Sequence, residues 1–211
     1  KHPVAVTLGT IADEMSVKYL ERRNTILAML LTVLAKQHIF LVGPPGTGKS
    51  AMVRDLVDRI ITASYFECLL SRQRPDAAIL GPYNLPELRD KGDFHRKVTG
   101  FLPTANFAFL DEIGKMGSTL GHDLLSILNE RLYHEVNGGR SAKPVPLYTA
   151  FTASNEFLTD DNDDAAALWD RLLVRDTVDY LGESSSFAAL LTLDHSQVVD
   201  TTLDFNDLVD V

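Results

Sequence analysis

The chain has 211 residues, of which 45% are hydrophobic and 23% are charged, and it carries a net charge of −9. This composition predicts a globular domain with a core of its own. The acidic balance argues against a broad nucleic-acid surface, which needs Lys and Arg to neutralise phosphates, and no apolar run approaches the roughly 20 residues of a membrane span. The single cysteine, Cys68, excludes an internal disulfide and favours a cytoplasmic protein, and we expect it to be a buried packing residue.

Smaller features give further expectations. The six histidines are scattered, with no pair at the spacing of zinc ligands, so we expect no metal site made by the protein alone. The chain starts at Lys1 rather than Met and shows no secretory signal, which predicts an excerpt of a longer protein. The stretch SRQRP, residues 71–75, is the only candidate for a local basic loop.

The first predicted elements surround a glycine-rich loop. Residues 17–36, VKYLERRNTILAMLLTVLAK, have apolar side chains at helical spacing and predict one helix. Residues 38–43, HIFLVG, predict a buried strand of a parallel sheet, and residues 49–61 return to helical periodicity. The order strand, glycine loop, helix is the context in which a phosphate-binding loop occurs.

Strands and helices continue to alternate after this loop. Three more strands are predicted from apolar runs at residues 64–70, 105–113 and 144–154. Three more helices are predicted from helical periodicity at residues 85–92, 117–133 and 163–181, the last leading into a final strand. The tripeptide Asn137 to Gly139 predicts a hairpin turn. This alternation predicts an α/β fold with a central parallel sheet flanked by helices.

The motif GPPGTGKS has the spacing Gly43–x4–Gly48–Lys49–Ser50 of a phosphate-binding loop. Lys49 would contact the β- and γ-phosphates, and the Ser50 hydroxyl would bind Mg²⁺. The alternative is a structural turn followed by a solvated lysine. Because a lysine at a helix N-terminus is unfavourable unless an anion compensates it, we favour a nucleotide site. The predicted nucleotide-binding residues are Gly43, Pro44, Pro45, Gly46, Thr47, Gly48, Lys49, Ser50 and Ala51.

Polar residues end two of the predicted strands. Asp111 and Glu112 close the run FAFLDE at the carboxyl end of a strand, where open α/β sheets bind ligands. Asp111 would hold Mg²⁺, directly or through water, and Glu112 would activate the attacking water. A helix N-cap is the alternative. Asn155, after LYTAFTAS, could direct its amide at the γ-phosphate or the water, although asparagine is also an ordinary turn residue.

Taken together, the segments GPPGTGKS, FAFLDEIGK, LLSILNERLY, FTASNE and LWDRLLVR resemble AAA+ ATPases of the MoxR family, and within it the RavA-like branch. The segment YLERRNTILAMLLTVLA is similar to the opening helix of that branch, with its L-x-E-R element. The segment GDFHRKVTGFLPTANFAFLDE is similar to the part of the family core that carries an inserted hairpin. The resemblance covers Val17 to Leu181 and implies a P-loop AAA+ core with ATP and Mg²⁺ as cofactors.

The resemblance also assigns roles to matching positions. Gly43 to Ser50 correspond to Walker A, Asp111 and Glu112 to Walker B, and Asn155 to sensor 1. Arg171 corresponds to the arginine finger that reaches the ATP of a neighbouring subunit. The implied catalytic residues are Glu112, Asn155, Arg171 and Lys49, and the implied metal ligands are Ser50 and Asp111.

Three arginines have competing interpretations. Arg175 is an alternative arginine finger, and the plain structural interpretation of Arg171 is a surface ion pair with Asp170. Arg131 could contact a neighbouring subunit or be an ordinary exposed helix residue. We favour Arg171 as the finger because an arginine supplied across an interface stabilises the phosphoryl transition state in many ATPases.

The chain divides into three predicted parts. Residues 1–16 are a lead-in, residues 17–182 are the AAA+ core, and residues 183–211 are an acidic linker or the start of the lid domain. The family's helical lid, with its sensor 2 arginine, is not found before Val211, so we expect the lid to be absent or truncated.

The resemblance implies an Mg-dependent ATPase that forms a homo-oligomeric ring, usually a hexamer. Such a motor acts on a protein client in chaperone-like remodelling or metal insertion, typically with a partner that carries a von Willebrand factor A domain. A rubisco-activase or gas-vesicle type of remodeller shares the same core motifs. A DNA-handling AAA+ protein is disfavoured by the acidic charge. A non-hydrolysing scaffold would have no need of Glu112.

Overall fold

The computed structural model describes residues 2–92, 95–135, 142–157, 168–192 and 200–210. In these ranges the strands are β1 (Ile39–Val42), β2 (Ile60–Ile61), β3 (Tyr65–Leu69), β4 (Phe107–Asp111), β5 (Leu132–His134), β6 (Ala142–Pro144), β7 (Thr149–Ser154), β8 (Val174–Thr177) and β9 (Leu203–Asp204). Five of them form a central sheet in the order β3–β4–β7–β1–β8, and each neighbouring pair runs parallel. The predicted α/β fold with a central parallel sheet is confirmed.

Helices flank this sheet on both sides. They are α1 (Pro3–Lys18), α2 (Arg23–Leu34), α3 (Lys49–Asp58), α4 (Ala77–Leu80), α5 (Leu85–Lys91), α6 (Ser118–Glu130), α7 (Ser184–Thr192) and α8 (Phe205–Val209), with short 3-10 turns at Leu102–Thr104 and Ile113–Lys115. None of the helices in the described ranges is long and apolar enough to cross a bilayer.

The two faces of the sheet belong to two separate hydrophobic cores. Leu41 and Phe109 pack with α1, α2 and α3, whereas Phe40 and Leu110 pack with α4 and α6. All four side chains are fully buried. Because successive side chains of a strand point to opposite faces, a short continuous apolar run can fill both cores, as expected for strands in the middle of a parallel sheet.

The prediction of one helix over residues 17–36 is wrong. Helix α1 ends at Lys18 and α2 begins at Arg23, and between them Glu21 has a φ angle of 59°. The predicted lead-in is itself mostly helical. Val4, Leu8, Ile11 and Met15 of α1 are buried at helical spacing in the core beneath the sheet. The apolar pattern of residues 4–15 was a signal for this helix.

Residues 200–210 pack back onto the first helices. Strand β9 pairs in parallel with β2, and Leu208 is fully buried. The side chain of Arg59, 2% exposed, bonds Asp55 at 3.0 Å, Glu14 at 2.5 Å and Asp200 at 2.5 Å. This part of the acidic segment is therefore fixed to α1 and α3.

The helices predicted over residues 49–61 and 117–133 are present but end earlier, at Asp58 and Glu130, and short strands follow each of them. Strands β5 and β6 form the antiparallel pair of the expected hairpin, whose turn at residues 137–139 lies outside the described residues. Residues 168–171 are helical and lead into β8. Cys68 is buried, as expected, and burial raises the pKa of its thiol.

Candidate active site

Glycines shape the loop that follows β1. Gly46 and Gly48 have φ angles of 80° and 89°, a left-handed conformation that glycine adopts without steric cost. A Cβ atom on Gly43 would lie 2.1 Å from the carbonyl oxygen of Val178, so the start of the loop packs directly against the chain leaving β8. Gly48 precedes the first turn of α3. The N-terminus of that helix therefore faces the loop and can bind an anion.

Lys49 lies inside this loop. Its Nζ donates hydrogen bonds to the backbone oxygens of Gly43 at 2.6 Å and Pro44 at 2.9 Å, and only 6% of the residue is exposed. Burial lowers the pKa of Lys49, while the charges of Asp111 and Glu112 oppose that effect. Lys49 is thus not the solvated residue of the alternative interpretation, because its ammonium group bonds the backbone of the loop.

Asn155 connects the loop to the carboxylates. It follows β7, which lies between β1 and β4 in the sheet, so the ends of these strands are adjacent. Its Nδ2 donates to Oε1 of Glu112 at 2.5 Å, and its Oδ1 accepts from Nζ of Lys49 at 3.4 Å. The structure therefore brings together Lys49, Glu112 and Asn155, three residues that the sequence analysis selected from separate motifs.

The two carboxylates at the end of β4 differ in their surroundings. Asp111 accepts a hydrogen bond from the backbone N–H of Glu112 at 2.9 Å, and burial, with the neighbouring charge of Glu112, raises its pKa. Glu112 has a φ angle of 55°, and its Oε2 lies 3.2 Å from Nζ of Lys115. A cation bound near Asp111 would favour its ionised form.

The oxygen donors suit Mg²⁺. A cleft of about 450 Å³ is lined by residues 45–51, Arg54, Asp111, Glu112 and Asn155, and the Ser50 hydroxyl and Asp111 carboxylate are ligands of the type that Mg²⁺ binds. Within the described part of the chain, no group of three or more His, Cys, Asp or Glu side chains could hold a metal ion.

One charged residue of this cleft was not predicted from the sequence. Arg54 lies one helical turn after Ser50 on α3, and its Nη2 bonds Oε1 of Glu67 at 2.6 Å. The signal available was its position four residues after Ser50, which places both side chains on one face of the helix.

A second cavity, which we call the apolar pocket, adjoins the glycine loop. It has a volume of about 410 Å³ and is lined by residues 18–20, Arg22, residues 46–48, Tyr180, Leu181, Phe187 and Leu190. The two cavities share residues 46–48. The sequence does not predict the apolar pocket as a whole, because its walls come from separate segments of the chain.

The candidate arginine fingers are not part of either cavity. Arg171 belongs to the helical residues that precede β8. Because β8 runs parallel to β1, Arg171 lies toward the amino-terminal ends of these strands, whereas the glycine loop follows the carboxyl end of β1. Arg175 is held within its own segment: its guanidinium lies 3.9 Å from the ring centre of Trp169 and donates to the Leu172 carbonyl at 2.9 Å.

Arg131 is not an ordinary exposed helix residue. It ends α6 in a left-handed conformation, with a φ angle of 57°. Its guanidinium contacts the His38 ring at 2.5 Å and donates to the Lys36 carbonyl at 3.1 Å. These contacts join the end of α6 to the chain that enters β1.

Comparison with known proteins decides the family. Residues 6–203 match the model of the MoxR domain in the MoxR-vWA-beta-propeller ternary systems. The chain belongs to this MoxR family. Two uncharacterized proteins of Methanocaldococcus jannaschii, MJ0079 and MJ0812, are each 39% identical over 201 residues, covering 95% of the chain. The MoxR domain spans about half of their length, 51% and 52% respectively.

More distant matches include a viral protein and two solved structures. Structural protein ORF618 of Acidianus two-tailed virus is 26% identical over 176 residues, covering 82% of this chain and 28% of the viral protein. The crystal structure of a candidate ATPase from Cytophaga hutchinsonii matches with a TM-score of 0.67 at 18% identity, covering 97% of this chain and 61% of that one. NtrX from Brucella abortus matches with a TM-score of 0.50 at 18% identity, over 72% and 37% of the two chains. At such identities the two structures support the AAA+ fold alone.

Proposed function

We propose that this MoxR domain binds ATP and hydrolyses it to ADP and phosphate in an Mg²⁺-dependent reaction. The observation that carries the proposal is the double contact of Asn155, which joins the candidate base Glu112 to the candidate phosphate ligand Lys49. A helix cap or a structural turn would not need these two charged groups beside one another in a cleft.

The chemistry assigns one step to each side chain. Lys49 and the backbone N–H groups of the loop bind the β- and γ-phosphates. Glu112 accepts the proton of a water whose oxygen attacks the γ-phosphorus, and the bond to the β–γ bridging oxygen breaks, leaving ADP and phosphate. Asn155 orients Glu112 and the water. Ser50 and Asp111 would hold Mg²⁺, which would supply positive charge beside the phosphates.

The base of the nucleotide would lie in the apolar pocket. The pocket begins at Gly46–Gly48, where the phosphates would end, and its far wall contains Tyr180 and Phe187. Flat aromatic and aliphatic surfaces suit a planar base. The phosphate cleft and the apolar pocket meet at the shared residues 46–48, so one nucleotide could extend through both.

We further propose that the site is completed by a neighbouring subunit. Arg171 lies toward the amino-terminal ends of the strands, and its own glycine loop lies at their carboxyl ends. It can therefore stabilise the transition state only across an interface. Head-to-tail contacts that close into a ring, such as a hexamer, supply one arginine to every site. A von Willebrand factor A partner agrees with the ternary systems named in the family description, which also names a β-propeller.

The use of the energy is a proposal based on resemblance. A cytoplasmic, RavA-like ring would remodel a protein client or assist metal insertion. The β5–β6 hairpin and the loop at residues 71–82 are the elements that hydrolysis would move against the client. The other remodellers and the DNA-handling class gain no specific support from the site.

The experiment is Mg-ATP turnover per subunit as a function of protein concentration. We expect turnover that rises with concentration in the parent and is lost in Arg171→Ala. Arg175→Ala tests the alternative finger, and because this guanidinium is held on Trp169 we expect the variant to keep most of its turnover. Glu112→Gln should bind ATP without turning it over. Turnover that is independent of both concentration and Arg171 would contradict the shared site, and failure of the parent to bind ATP would contradict the function.

A further inference from the structure

Two adjacent residues between α1 and α2 hold a distant segment of the chain. The two carboxylate oxygens of Glu21 accept hydrogen bonds from the backbone N–H groups of Gly182 at 2.8 Å and Glu183 at 3.1 Å. Arg22 donates to the backbone oxygen of Asp179 and, at 3.3 Å, to that of Glu21. The short link between the helices is thereby joined to the chain that follows β8.

The other end of that segment is fixed to the central sheet. The N–H of Val178 donates to the carbonyl of Val42 at 2.7 Å, and Val178 packs against Gly43. Residues 179–183 therefore span from the strand that carries the phosphate loop to the carboxylate of Glu21. Both anchors bind backbone atoms of this segment, so they fix the path of the chain whatever its side chains.

This anchored segment builds one wall of the apolar pocket. Tyr180 and Leu181 lie between the two anchors and line the pocket. Helix α7 begins at Ser184, immediately after the Glu21 contact, and brings Phe187 and Leu190 to the same cavity. In α7 no side chain of the described residues is buried, so the position of this wall depends on its anchors more than on packing.

The conformation of Glu21 agrees with a specialised role. Its φ angle of 59° lies in the left-handed region, which is unfavourable for a residue with a Cβ atom and persists where the surroundings impose it. The hydrogen bond from Gly182 lowers the pKa of Glu21, so the bonds to the backbone favour the ionised carboxylate.

We propose that Glu21 is a positioning residue for the base of the bound nucleotide, because it holds the wall of the apolar pocket that residues 180–181 and α7 form. The inference rests on the proposed nucleotide site and adds how the base half of that site is built. Glu21 lies between Leu20 and Arg22, which line the apolar pocket and do not line the phosphate cleft. Loss of the Glu21 carboxylate should therefore weaken binding of the base and leave binding of the phosphates nearly unchanged.

The test compares a ligand that has a base with one that has none. Dissociation constants for Mg-ADP and for Mg-tripolyphosphate are measured by calorimetry in the full protein, with Glu21→Ala and Glu21→Gln. We expect Glu21→Ala to weaken Mg-ADP about tenfold, as for loss of a charged hydrogen-bond pair, and Mg-tripolyphosphate less than about twofold. Glu21→Gln keeps one acceptor oxygen and should lie between Ala and the parent. Asp13→Asn, which breaks the exposed Asp13–Arg23 ion pair on the same two helices, is the matched control.

The outcomes separate this inference from the proposed function. If the parent binds neither ligand, the nucleotide site itself is wrong. If the parent binds Mg-ADP and Glu21→Ala binds it equally well, or loses both ligands to the same degree, Glu21 is not a positioning residue for the base. Thermal unfolding checks that the variants fold. If Glu21→Ala does not fold, Glu21→Gln is compared with the parent instead.

Discussion

Asn155 donates a hydrogen bond of 2.5 Å to the carboxylate of Glu112 and accepts one of 3.4 Å from the ammonium group of Lys49. A neutral amide is suited to this position, because it can donate to an anion and accept from a cation at once. Neither a carboxylate nor an ammonium group could do both.

We expect Asn155→Ala to lower the turnover number about 100-fold, because the base and the water lose their orientation. The affinity for ATP should change only a few-fold, since Lys49 keeps its contacts with the loop. Steady-state turnover and equilibrium binding of ATP measure the two effects. An Asn155→Ala variant that turns over ATP at the parent rate would remove Asn155 from the site.

His38 should make the folded state sensitive to acid. The ring is 2% exposed and its Nδ1 accepts from the N–H of Ala150 at 2.9 Å. Burial, together with the charge of Arg131, lowers the pKa of His38 to about 4. In the unfolded chain histidine titrates near 6.5, so between these values only the unfolded state gains a proton.

The contribution of the neutral His38 ring to the free energy of unfolding is fully present above about pH 6.5. It is lost as the pH falls toward about 4, and the whole loss is about 3 kcal/mol. His38→Asn keeps an acceptor for Ala150 and does not titrate. Urea unfolding at pH 7 and pH 5 should show a larger loss for the parent than for His38→Asn. Equal losses in the two proteins would contradict the low pKa.

The ion pairs of Arg59 should contribute unequally to the free energy of unfolding. Arg59→Met leaves the carboxylate of Glu14 without its cation and leaves Asp55 with Lys18 alone, and we expect unfolding to become easier by about 3 kcal/mol. Asp200→Asn should cost less than about 1 kcal/mol, because Asp200 is 65% exposed. Denaturant titrations compare the two variants. Similar losses of stability in both variants would show that the burial of Arg59 does not set the strength of these ion pairs.

The contact between Gly43 and Val178 gives a test of the loop. Gly43→Ala places a methyl group 2.1 Å from the Val178 carbonyl, and we expect it to destabilise the fold by about 1–3 kcal/mol and to weaken ATP binding. Gly9→Ala, in the interior of α1 with no atom within 4 Å of the new methyl group, should stabilise by about 0.5–1 kcal/mol. Thermal unfolding distinguishes these opposite signs, and a Gly43→Ala protein as stable as the parent would contradict the close packing.

The features that depend on local sequence pattern could be predicted from the sequence. Short apolar runs predicted the strands of the sheet, and the polar residues that follow β4 and β7 could be expected to meet because parallel strands end at one edge. Asn155 and Glu112 do lie together. Their catalytic roles stay predictions, since proximity alone does not establish chemistry.

The predictions that failed concern features that depend on contacts between residues far apart in the chain. Residues 19–22 have no helix-breaking residue, so their periodicity continued the helix. What stops it is the bonding of Glu21 and Arg22 to residues 179–183, which no local pattern reveals. The apolar pocket was missed for the same reason, and so was the docking of residues 200–210 on Arg59.

The strand order also governs when the molecule can assemble. Ile39 of β1 pairs with Phe151 on one side and with Val174 on the other, so the strand that carries the phosphate loop has no partner until the last third of the chain has been synthesised. Tyr65 and Phe107 can pair much earlier. Such long-range pairing slows folding and leaves β1 uncovered in the nascent chain. Ribosome-bound chains that end before Thr149 should therefore fail to retain ATP, however complete their Walker motifs are.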